Sequence, residues 1–76
     1  RAMEYYQKSL ALLKQTGDRV NEATILSNIA MLHIEAQQWS EAEKNLEAAV
    51  EIDRQLNLPS LDEDMQALEW VRRQSQ

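Results

Sequence analysis

Seventy-six residues with a net charge of −5 set narrow limits. A chain of this size hides only about 60% of its extended surface, so its core is thin. It has no Cys, hence no disulfide and no thiolate metal site, and its single Gly and single Pro leave little room for turns, so it must be mostly helix.

The charge is unevenly spread. Residues 1–19 carry Arg1, Lys8, Lys14 and Arg19 against Glu4 and Asp18, whereas residues 22–53 carry seven acids against Lys44 alone. That middle section would repel a phosphate backbone, so nucleic acid is not an expected partner. Its acidity reads most simply as solubility. No run approaches the ~20 apolar residues needed to span a bilayer, and no signal-peptide pattern is present. A membrane is therefore not expected either. The chain opens at Arg1, already inside a helical pattern, and so reads as a fragment or a processed chain, with the cytoplasm as its default compartment.

The first predicted helix covers about residues 2–15. Tyr6, Leu10 and Leu13 recur at helical spacing, with Met3, Ser9 and Leu12 widening the stripe. Glu4 and Lys8 form an i,i+4 pair in the favourable order. Gly17 then supplies a left-handed C-cap at no steric cost.

The second helix is predicted over about residues 19–37, capped by Asp18 or Asn21. Val20, Ala23, Leu26, Ile29, Ala30 and His33 make its apolar face, which Ile25, Leu32 and Ile34 broaden. A helix apolar on more than one side is sandwiched between neighbours. His33 reads as a core residue.

After a turn at Gln37, Gln38 and Trp39, Ser40 and Glu43 have the spacing of a capping box, so the third helix is predicted over about residues 41–56. Ala42, Leu46, Ala49, Val50 and Ile52 face inward, and Glu43, Glu47 and Glu51 form an acidic ridge outside. Pro59 disfavours helix at Leu58. Ser60 with Glu63 is a second capping-box pattern, opening a fourth helix over about residues 61–74. Asp62, Glu63 and Asp64 in its first turn, and Arg72 and Arg73 in its last, complement the helix dipole. Leu61, Met65, Leu68 and Val71 form its inner stripe. Connections of roughly three to six residues make sequential helices antiparallel neighbours.

The pattern returns after 40 residues. Ala2, Tyr6, Ser9, Leu10 and Leu12 are echoed by Ala42, Leu46, Ala49, Val50 and Ile52. A helical chain with such a period reads as part of a solenoid. The details resemble the tetratricopeptide repeat family in its extended form of about 40 residues, as in kinesin light chains. Asn28-Ile29-Ala30 resembles the small-residue signature of a first repeat helix, with Leu26 where Trp and His33 where Tyr often stand. Ala42, Leu46 and Ala49 resemble the small-large-small signature of a second helix.

The resemblance implies an all-α fold of antiparallel helical hairpins in a TPR-like solenoid. Residues 1–76 would form a single helical domain. Within it, 2–16 would be the second half of a preceding repeat, 20–56 a complete repeat, and 60–74 a degenerate half repeat or capping helix. The repeat core would be Leu26, Ile29, Ala30, His33, Ala42, Leu46 and Ala49.

The chemistry-bearing inventory is sparse. One histidine, no cysteine and no Gly-rich phosphate loop leave nothing from which to build a zinc site or a catalytic triad. The chain is read as a non-enzymatic protein with no catalytic residue, no metal and no cofactor. By resemblance, Thr24, Ser27, Met31, Ile34 and Glu35 line the concave face of the first helices, where a protein or peptide would bind. Ser27 and Met31 stand where carboxylate-clamp members carry Lys and Asn, so that subtype is not expected. The alternative is self-association as a homodimer or larger homo-oligomer through Tyr5, Tyr6, Leu12 and Leu13, which would lack a sister helix.

Overall fold

The computed structural model describes residues 1–75, which form four helices: α1 (Ala2–Thr16), α2 (Arg19–Glu35), α3 (Trp39–Leu56) and α4 (Leu61–Gln74). Among the described residues there is no strand. Consecutive helices pack on one another, α2 on α3 most extensively. Short turns between packed neighbours make each pair antiparallel. The fold is thus all-α, as the periodicity predicted.

The three turns share one backbone solution. Gly17, Gln37 and Asn57 each take a positive φ, of 75°, 58° and 54°. The amide of the next residue then reaches back to the last turn of the helix. Asp18 donates to the Leu13 carbonyl at 3.0 Å, Gln38 to His33 at 2.8 Å and Leu58 to Asp53 at 2.8 Å. This six-residue closure is the Schellman pattern, which satisfies carbonyls that the helix end leaves orphaned. At Gly17 the requirement is conformational, since a Cβ there would meet nothing within 4 Å.

The turns correct several expectations. The left-handed residue Gln37 stops α2 at Glu35, two residues early. The α3 helix then begins at Trp39, so Ser40 lies inside its first turn and the Ser40–Glu43 capping box does not form. Ser60 precedes α4 but has helical backbone angles (φ −78°, ψ −3°) and caps nothing. Its hydroxyl is turned back to Asp53 instead, so the second capping box is also absent. Asp18 does cap α2, accepting from the Asn21 amide at 3.3 Å. Among the described residues Glu4 and Lys8 make no ion pair, whereas Arg73 and Glu69 do, at 3.2 Å.

Two clusters make the core. Ala30, Ala42, Leu46, Val50, Leu68 and Val71 join α2, α3 and α4, with Ile34, Trp39, Leu61 and Ala67 against them. Ala23, Leu26, Ala49 and Ile52 join α2 to α3, and Leu10 and Leu58 pack on these. Ala30, Ala42 and Ala49 are fully buried, as backbones in close approach require. Of the expected core, Leu26, Ile29 and Leu46 are buried too, but His33 is only half-buried. Its Nδ1 lies 2.6 Å from Gln38 Oε1, so the ring braces the α2–α3 turn. Val20, expected on the apolar face of α2, is exposed. The α1 helix buries no residue fully, having one packed neighbour.

No helix among the described residues is long and apolar enough to cross a membrane.

Candidate binding face

Thr24, Ser27 and Met31 fall on one stripe of α2 at spacings of three and four residues. Thr24 is exposed and donates its hydroxyl to the Val20 carbonyl at 3.3 Å. Ser27 is half-buried and donates to Asp64 Oδ1 of α4 at 3.1 Å. Met31 is exposed over 54% of its surface, and Glu35 is exposed at the helix end. Ile34 is half-buried against the α2–α3–α4 cluster, so its surface is shared with the core.

Both α2 and α4 pack on α3, and the Ser27–Asp64 bond joins one to the other. Between them lies a notch of about 170 Å³, lined by Thr24, Ser27, Asn28, Ser60, Glu63 and Asp64. Glu63 and Asp64 are its acidic residues.

A second concavity, of about 240 Å³, lies between α1 and α2. Tyr5, Leu12, Leu13 and Ile25 supply its apolar lining, with Asn21 and Thr24 at its polar edge. Tyr5 is 66% exposed and Leu12 59%. Tyr6 and Leu13 are half-buried. Tyr6 lies edge-on to Tyr5 with ring centroids 5.8 Å apart.

The acidic ridge of α3 is partly neutralised. Arg72 of α4 donates from Nε to Glu43 at 3.0 Å and from Nη2 to Glu47 at 2.8 Å. These carboxylates hold its guanidinium still more firmly protonated. Glu22, buried on α2, is paired with Arg19 at 3.0 Å.

The least expected group is Asp53, which is fully buried at the end of α3. Ser60 donates to its Oδ1 at 3.1 Å, while Oδ2 has no donor among the described residues. The Asp64 carboxyl neighbours Asp53, held by the Asp64 amide donating to the Ser60 carbonyl at 3.0 Å. Burial, then the neighbouring Asp53 carboxyl with its negative charge, then the charge of Glu63 push Asp64 up to about 7, against the opposing bond from Ser27. The sequence does hold a signal for this. Asp53 continues the buried series Ala42, Leu46, Ala49, and the residue 40 positions earlier is Leu13. A carboxylate on an apolar stripe marks a buried polar site. Among the described residues no cluster of three or more His, Cys, Asp or Glu is placed to hold a metal.

The family model described as tetratricopeptide repeat matches residues 1–55, which run from α1 to the end of α3. Neither the curated proteins nor the solved structures yield a match to the chain.

Proposed function

Because the chain belongs to the tetratricopeptide repeat family, whose repeats generally mediate protein–protein interactions and are generally non-enzymatic, we propose that it is an interaction scaffold. It binds a peptide or protein segment across the side-by-side faces of α2 and α4. In this reading α2 and α3 are one complete repeat, α1 is the second half of a preceding one, and α4 is a degenerate half repeat or cap.

The observation that carries the reading is the Ser27–Asp64 bond. It joins α2 to α4 while Thr24, Met31 and Glu35 stay exposed. Met31 is the anchor: a large, adaptable apolar side chain suited to a partner of varied shape. Thr24 and Glu35 orient the partner, with Ile34 supporting from the core side. The exposed Glu63 at the notch and Glu35 at the end of α2 favour a segment with Lys or Arg beside its apolar anchor, and disfavour nucleic acid.

A peptide-display selection against the chain, followed by amide shift mapping, tests this. Selected peptides should carry a basic and an apolar residue, perturb α2 and α4, and lose binding to Met31→Glu. Perturbations confined to α1, or full binding by Met31→Glu, would sink the proposal.

A second reading rests on the α1–α2 groove. Tyr5 and Leu12 are the two most exposed large apolar residues, and they sit together there. Such clustering marks contact surfaces. A second copy covering Tyr5, Tyr6, Leu12 and Leu13 would give a homodimer. Sedimentation equilibrium over a concentration series separates the readings, since a monomer throughout excludes the dimer. If a dimer forms, Tyr5→Glu with Leu12→Glu should split it.

A further inference from the structure

We propose that Asp64 carries a proton and donates it to Asp53 Oδ2, and that this proton is a latch fastening the first turn of α4 onto α2 and α3.

The argument starts from an unmet need. Asp53 is fully buried, and a buried carboxylate oxygen without a donor is costly. Its Oδ1 is supplied by Ser60. The neighbouring carboxyl is that of Asp64, whose amide donates to the Ser60 carbonyl at 3.0 Å and whose Oδ1 accepts from Ser27 at 3.1 Å. Two carboxylates hydrogen-bond to each other only when one of them holds a proton. Asp64 Oδ1 accepts from Ser27, which leaves its other oxygen to carry the proton. With that proton in place every polar atom of the set is satisfied, in the order Ser27 to Asp64 to Asp53, with Ser60 closing the far end.

The surroundings favour the protonated form. From α3 comes the charge of Asp53, and from α4 itself that of Glu63; both are negative. From α2 comes only the Ser27 hydroxyl, because the buried Glu22 farther along is held by Arg19. The α3–α4 turn contributes the Ser60 hydroxyl. Unfolded, Asp64 has the ordinary carboxyl value of 3.8, and folded it stands at about 7. Between these values the folded chain holds a proton that the unfolded chain has released. The stabilisation is therefore complete below the ordinary value and is lost as pH rises through about 7. Above that, two carboxylates face each other and α4 loosens. Ser27 and Asp64 also line the notch between α2 and α4, so release opens that notch.

Three measurements on the full chain test the latch. The Asp64 side-chain carboxyl, followed by carbon NMR, should titrate near 7 rather than near the ordinary 3.8. The melting temperature of the wild-type chain should fall between about pH 5.5 and about pH 8. Asp64→Asn, whose amide donates permanently, should lose most of that pH difference and melt higher than wild type at the alkaline end. Hydrogen exchange in the first turn of α4, corrected for intrinsic rates, should accelerate in the wild type across the same window and not in the variant. Titration of Asp64 near 3.8, or an Asn variant that keeps the wild-type pH loss, overturns the proposal. So does recovery of wild-type stability at alkaline pH by millimolar calcium or magnesium, which would make the occupant a cation.

Discussion

Trp39, at the start of α3, meets Trp70 of α4 edge to face, with ring centroids 5.7 Å apart and planes at 76°. Neither indole is fully buried, yet Trp39 packs on the cluster shared by α2, α3 and α4. Edge-to-face aromatic pairs contribute about 1 kcal/mol beyond their burial. A double-mutant cycle with Trp39→Ala and Trp70→Ala, read by urea unfolding, should give a coupling energy of about that size. A coupling near zero would mean that the rings touch without stabilising.

Ser60 should matter more than its place in a turn suggests. Ser60→Ala removes the donor to Asp53 Oδ1, leaving a buried carboxylate short of a partner, at a cost of about 1–3 kcal/mol. Loss of a helix cap would predict a local effect on α4 alone. Here exchange protection at the end of α3 should fall as well.

The alanines at the helix crossings admit nothing larger. Ala30→Leu or Ala42→Leu should destabilise by about 1–3 kcal/mol through overpacking. Leu46→Ala should cost about 2–5 kcal/mol through lost burial and a cavity. Chemical denaturation measures both, and at this chain length either could approach the whole stability.

Gln37 holds a backbone conformation that L side chains seldom adopt. Gln37→Gly should therefore stabilise, by about 0.5–1 kcal/mol, and Gly17→Ala should destabilise by a similar amount. Differential scanning calorimetry would show opposite shifts in melting temperature. Equal signs would overturn the assignment of these turns.

The legible parts of the chain were those written in period and residue size. The apolar stripe of α3 and the small residues Ala30, Ala42 and Ala49 specify helix faces directly, and each lies where its spacing placed it. What spacing could not convey was competition for a polar side chain. Ser60 and Glu63 have capping-box spacing, but the buried Asp53 claims the Ser60 hydroxyl across the turn. Ser40 and Glu43 fail likewise, since α3 starts early and Glu43 instead receives Arg72. Arg72 was legible as a complement to its own helix dipole, while its reach to α3 depends on how the helices dock. On the candidate face, Thr24, Ser27 and Met31 could be grouped from helical spacing alone. That Ser27 is tied to Asp64 required knowing that α2 and α4 lie side by side.

The left-handed turns at Gly17, Gln37 and Asn57 stand twenty residues apart, although three different amino acids occupy them. The backbone thus keeps a finer beat than the side chains, whose echo takes forty. A segment running from Asp18 to Asn57 starts just past one such turn and finishes on another of the same geometry. It can be copied in tandem with each junction already shaped to join the next copy. Lengthening the array would then require new side-chain surfaces and no new corner.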